Sequence, residues 1–189
     1  MALCIAKGNY ICFLDDDDYV STNYLSKLLE KADSGVLAVS NLLTFSDEDK
    51  NRFGSDYITY AYKNVKSNSV FRCRSFLSSS CGKLIHKDII GNRLFDVRLA
   101  NSEDALFMFT ISNRIDRIER ADADAIYYRR LRKNSASRSH ISMRNRFAFS
   151  VRLIGKFSLI YFRHPFSYNF FLYISRIVAV LYRNVLQIW

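Results

Sequence analysis

Tyr10-Ile11-Cys12-Phe13-Leu14, followed at once by Asp15-Asp16-Asp17-Asp18, is the stretch on which the reading of the fold depends. Five apolar residues in a row predict a strand buried on both faces, of the kind found in parallel sheets. Four carboxylates then stand where open α/β sheets bind ligands, outside the carboxyl ends of their strands. Crowded like charges resist ionisation unless a cation neutralises them. A hard, oxygen-ligand ion such as Mn²⁺ or Mg²⁺ suits such a cluster and would in turn hold a diphosphate. A solvated acidic turn is the plainer alternative.

Outward from this stretch, the chain opens on what reads as the last turn of a helix. Ser21, Thr22 or Asn23 can cap a helix running to about Ala32, with Leu25, Leu28 and Leu29 facing inward. Asp33-Ser34-Gly35 closes it, and residues 36–45 predict the next strand. Strand, helix and strand in this order imply an α/β domain with parallel pairing. Residues 46–69 are polar and weakly periodic and read as loop with short elements. Residues 83–90 read as a short helix. Ser102 suits the N-cap of a helix over 103–113, with Leu106, Phe109 and Thr110 facing inward. Residues 117–120 and 125–129 read as two further strands.

Composition narrows the class. The chain has 189 residues, 49% hydrophobic, with one Pro and six Gly, which suits a packed domain and excludes collagenous or low-complexity chains. Cys4, Cys12, Cys73 and Cys81 form no C-x-x-C pair, and none of His86, His140 and His164 stands at zinc spacing from them, so free thiols in a reducing compartment are expected. The start has no basic stretch followed by an apolar run, so these residues are not expected to be a secretory signal. Charge is segregated: residues 1–50 carry four Lys/Arg against nine Asp/Glu, whereas residues 125–189 carry twelve Lys/Arg and no acid. An acidic site in front and a basic surface behind are expected, the latter facing an anionic partner.

From Ala6 to Asp18 the sequence follows the pattern small-Gly-x-Tyr-Ile-x-Phe-Leu-Asp-x-Asp-Asp and resembles the family 2 glycosyltransferases of GT-A fold. Two later blocks agree. Cys81-Gly82-Lys83-Leu84-Ile85, Leu94-Phe95-Asp96 and Ser102-Glu103-Asp104-Ala105-Leu106-Phe107 resemble the family's G-K-L, F-D and G-E-D-x-x-F elements. Tyr127-Tyr128-Arg129-Arg130 and Asn134-Ser135-Ala136-Ser137 resemble a following Y-x-Y-R…S-x-S segment. The resemblance implies a partial GT-A (Rossmann-like) sheet with helices over residues 1–140 and a basic, aromatic helical tail over 141–189. Strands that precede this motif in the family have no counterpart here. The chain is therefore expected to be the C-terminal part of the catalytic domain, N-terminally truncated and inactive on its own if so.

By resemblance, Asp17 is the direct metal ligand, Asp15 binds the metal through water or the donor's ribose, and Asp16 adjoins the donor. Asp104 is the general base. Lys83 either reaches the donor or lies on the surface. Arg129, with Arg130, Arg132 and Lys133, either binds the diphosphate or is a basic loop. Taken without the resemblance, Glu103 and Asp104 are simply favourable acids at a helix N-terminus. The implied reaction is inverting transfer from a nucleotide sugar, commonly a UDP-sugar, to a glycan or lipid-linked acceptor in surface polysaccharide assembly. Such a displacement needs a base for the acceptor hydroxyl and stabilisation of the departing diphosphate.

Two rivals remain. A haloacid dehalogenase-like phosphatase would use Asp15 as nucleophile and Asp17 as acid/base, but Tyr19 stands where that family has Thr or Val. A non-catalytic remnant binding membrane or nucleic acid would rest on the tail. There Asn145, Arg152, Lys156 and Arg163 share a sector of about 40° on one helix, and Asn169, Arg176, Arg183 and Gln187 on a second. Narrow polar stripes beside broad apolar faces suit helices lying on an anionic membrane rather than a nucleic-acid groove, and no segment is apolar enough to span. Packing of these helices against another domain is the alternative. The expected location is cytoplasmic and peripheral, on the inner face of the cell membrane.

Overall fold

The computed structural model describes residues 2–48, 52–99, 101–131 and 143–183, which form two compact units, Met1–Lys133 and Asn134–Trp189. The first unit begins with α1 (Ala2–Ile5), β1 (Tyr10–Ile11), β2 (Tyr19–Val20) and α2 (Tyr24–Leu29). It continues with β3 (Val36–Val39), β4 (Asn41–Ser46), α3 (Tyr57–Asn64), β5 (Lys83–His86) and α4 (Lys87–Ile90). It ends with α5 (Glu103–Ile111), β6 (Arg117–Arg120) and β7 (Ile126–Leu131). Two mixed sheets result, ordered β1-β5-β3-β6 and β2-β7-β4.

Parallel pairing is found between β3 and β6 and between β4 and β7, and not between β1 and β3, the strands on either side of α2, which β5 separates. The apolar run at Tyr10 departs from expectation. Only Tyr10 and Ile11 enter a ladder, antiparallel to β5 at the sheet edge, and Leu14 is exposed. Residues beyond leave the ladder because other contacts hold them. Phe13 packs edge-on against Phe95 and Phe107, and the Asp15 amide donates to the Tyr127 hydroxyl at 3.2 Å.

The strand expected over 36–45 is two strands, with the break at Ser40. Both the Ser40 amide and its hydroxyl donate to the Gly82 carbonyl, which hands the chain from one sheet to the other. β3 is wholly buried and carries the core of the larger sheet. Residues 83–90 are a strand and a short helix rather than one helix. Lys83–His86 is paired on both edges, by β1 and β3, and such tertiary pairing overrides local preference.

In α2, Tyr24 and Leu28 are buried while Leu25 and Leu29 are exposed, so the inward face is narrower than expected. Its end tightens through Lys31 and Ala32 amides donating to carbonyls three residues back. Within the polar stretch 46–69, α3 is nucleated by a capping box. Asp56 accepts from the Ile58 and Thr59 amides, and the Thr59 hydroxyl accepts from the Asp56 amide.

Helix α5 is buried nearly all round, through Leu106, Phe107, Met108, Phe109 and Ile111, while Thr110 is half-buried. Ser102 precedes it with φ of 64°, in the left-handed region, and its side chain caps nothing. That corrects its expected capping role. The backbone there asks for glycine.

The second unit contains α6 (Met143–Arg163) and α7 (Phe170–Leu181), turned at His164-Pro165. Tyr161 stacks on Tyr173 at 4.4 Å, Ser158 and Tyr173 hydroxyls pair at 2.8 Å, and Asn169 caps α7 through the Leu172 amide. On α6, Asn145, Arg152 and Arg163 are exposed as expected, and Lys156 is half-buried. On α7, Arg176 is buried on the side of Leu172, Tyr173 and Val180, which removes it from the expected exposed stripe. Gln187 lies outside the described residues, as do Arg132, Lys133 and the segment 134–137.

Candidate active site

The four aspartates form a turn closed by the Asp18 amide donating to the Asp15 carbonyl at 3.2 Å. Strand β2 follows at once and pairs antiparallel with β7, Tyr19 opposite Tyr128 and Val20 opposite Tyr127. β7 therefore clasps the turn at two points. The Tyr127 hydroxyl accepts from the Asp15 amide, and the Arg130 amide donates to Asp18 Oδ1 at 2.8 Å. Asp18 Oδ2 is buried and has no hydrogen-bond partner among the described residues.

Helix α5 brings Asp104 to the same place. Its carboxylate accepts from the Ser80 amide at 3.2 Å and from the Ser80 hydroxyl at 2.9 Å. Asp15 lies close enough to feel it. Partial burial raises the Asp15 carboxyl pKa most; the Cys81 thiol opposes this by hydrogen bonding, Asp18 and Asp104 add to it, and Arg129 opposes it. Arg129 pairs with Asp56 through Nη1 at 3.1 Å, and its Nη2 approaches the Ser79 hydroxyl at 3.5 Å.

Lys83 is not on the surface. It is 1% exposed, its Nζ donates to the Cys81 carbonyl at 2.7 Å, and burial pulls its pKa down to about 8. Burial also pushes the Cys81 thiol up to about 11, so it serves as a hydrogen-bonding group and not as a nucleophile. Asp15 and Asp16 are exposed, and Asp17 is half-buried.

Thus Asp15, Asp104, Arg129 and Lys83, drawn from four separate stretches of sequence, surround the turn Ser79–Gly82. Sequence reasoning missed Ser79, Ser80 and Asp56, and counted Asp18 and Tyr127 only as members of their motifs. The run Ser78-Ser79-Ser80 directly before Cys81-Gly82 was the available signal, since clustered hydroxyls before a glycine suit a turn that solvates charges.

Among the described residues no three His, Cys, Asp or Glu side chains converge as a closed metal cage. Mg²⁺-type ions need none, because they keep several waters and take one or two carboxylates plus substrate phosphates. The buried Asp18 Oδ2, which lacks a hydrogen-bond partner, suits a cation of that kind.

Residues 1–94 match the family model described as glycosyl transferase family 2. No curated protein matches the sequence significantly. Among solved structures, TarS 1-349 of S. aureus in complex with UDP-GlcNAc superposes with a TM-score of 0.64 at 15% identity, over 96% of this chain and 51% of that one. TarS 1-349 gives 0.61 at 15% over 97% and 50%, and TarS gives 0.54 at 16% over 96% and 30%. The chain spans about half the length of TarS 1-349. At such identity the likeness shows the fold, a partial GT-A arrangement.

Proposed function

With residues 1–94 the chain belongs to glycosyl transferase family 2, and on that premise we propose that it serves inverting transfer of a sugar from a nucleotide-sugar donor, a UDP-sugar, to a glycan or lipid-linked acceptor. The observation that carries this reading is the meeting of Asp104 with the acidic turn around Ser80, a base beside a leaving-group site. Asp104 takes the acceptor hydroxyl's proton, its lone pairs oriented by the two Ser80 donors. Asp17, with Asp15 through water, would hold a Mn²⁺ or Mg²⁺ ion, whose chemistry there is to neutralise charge on the departing diphosphate. Asp15, through water to the ion or at the donor's ribose, and Asp16 beside it would contribute to donor binding. Arg129 uses one nitrogen on Asp56 and has further guanidinium donors for the diphosphate. TarS is seen with UDP-GlcNAc and with UDP, which supports a uridine donor for this chain. The phosphatase alternative falls with the fold and family matches.

The test is calorimetric titration of UDP into this chain with Mn²⁺, without it, and in Asp17→Asn. Binding that needs Mn²⁺ and disappears in the variant supports the donor site. Metal-independent affinity unchanged by Asp17→Asn rejects it.

An anionic membrane surface is the proposed location of the acceptor, a reading that exposed groups of the second unit support. Phe162, Phe166 and Phe171 are exposed alongside Arg152 and Arg163, the pairing of apolar and basic groups that interfacial helices present. No described helix is long and apolar enough to cross a membrane. Replacing the three phenylalanines by Ser should abolish sedimentation with phosphatidylglycerol vesicles; retained binding refutes the surface role.

A further inference from the structure

A fully buried ammonium is costly to desolvate and is kept where it organises something. Lys83 is such a group, and what it touches is a turn. Its Nζ donates to the Cys81 carbonyl, two residues back across Gly82, whose φ of +74° lets the chain fold over. Every residue of that turn reaches a charged or structural neighbour of the site. The Ser79 hydroxyl accepts from the Cys81 amide at 3.2 Å and faces Arg129. Ser80 donates twice to Asp104, and the Cys81 thiol hydrogen-bonds Asp15. Gly82 offers its carbonyl to Ser40, at the switch between the sheets.

We propose that Lys83 is a positioning residue, whose ammonium pins the Ser79–Gly82 turn and thereby sets where Asp104 and Asp15 stand. The role rests on the donor reading of the site given above, but Lys83 itself does not touch the donor. The charged and titratable groups that face it are Cys81 on the turn, Cys12 after β1, Asp104 on α5 and Arg129 on β7. None of these forms a short ion pair with Nζ, so the carbonyl is its one close anchor among the interactions described. The pin therefore works through hydrogen-bond geometry, with one carboxylate, Asp104, near enough to favour its charge and Arg129 opposing it.

The experiment compares the full chain with Lys83→Met and Lys83→Gln by residue-resolved amide hydrogen exchange and by UDP–Mn²⁺ calorimetry. Met fills the space without a donor; Gln restores a donor without the charge. In Lys83→Met the Ser80 and Cys81 amides should exchange roughly tenfold faster or more, while Leu37 and Ala38 in the central strand keep their protection. UDP affinity should fall by about tenfold or more, and Gln should recover most of both losses. Unchanged Ser80 protection in Lys83→Met overturns the proposal even if UDP still binds. Uniform loss of protection, including Leu37 and Ala38, overturns it too, since Lys83 would then merely support the fold. If the parent chain binds no UDP yet Ser80 responds as stated, the pin stands and the donor reading fails.

Discussion

The ring of Phe13 meets the ring of Phe107 edge to face with centroids 5.9 Å apart, tying the acidic turn to the helix that carries Asp104. Phe13 stands two residues before Asp15, and Phe107 one helical turn after Asp104. Phe95 completes the cluster, stacked on Phe107 at 4.1 Å. Asp15 and Asp104 repel one another, so apolar packing holds together what charge would separate.

Phe107→Ala should therefore cost about 3–5 kcal/mol in urea unfolding, the usual range for deleting a buried aromatic ring. Phe107→Leu keeps most of the volume and should cost distinctly less. Equal losses in the two variants would show that ring packing is not the link.

Asp104→Asn keeps an oxygen to accept from Ser80, so the turn should survive. Transfer measured with a nucleotide-sugar donor should fall by about 10²–10⁴, the usual contribution of a general base, with UDP affinity unchanged. Near-normal turnover would remove Asp104 from that role.

Ser102 holds a left-handed backbone with no compensating side-chain bond. Ser102→Gly should raise stability by about 0.5–1 kcal/mol, the relief of the Cβ clash less the added freedom of the unfolded chain. Ser102→Val should do the opposite. A thermal melt in which Gly destabilises would contradict the strain.

Burial lowers the Lys83 pKa to about 8, below the ordinary lysine value of 10.5. Below pH 8 both folded and unfolded chains carry the proton, and the penalty of burying the charge is fully present. Between about pH 8 and 10.5 the unfolded chain binds more protons, so stability rises with pH across that window. The gain is about 3 kcal/mol at most. It should appear as the difference between the parent chain and Lys83→Met in urea unfolding at pH 7 and pH 10.5, which cancels the tyrosines titrating nearby. A difference that stays constant with pH would mean the ammonium is solvated.

Legible from the residues alone were the acidic turn after an apolar run, the strand-helix-strand order, the helix beginning at Glu103 and the paired helices of the tail. These are local features, set by hydrophobic period, turn residues and charge spacing within a few positions. The local pattern did not determine that Phe13 leaves its ladder, that residues 83–86 form a strand, or that Arg176 is buried. Nor did it show Ser80 beneath Asp104, Asp18 clasped by Arg130, or Lys83 sealed behind Cys81. Each of these depends on partners 24 to 112 residues away or on burial, as with Ser80 to Asp104 and Asp18 to Arg130. They arise in the folded chain, because pairing and desolvation energies exist only once distant segments have packed together.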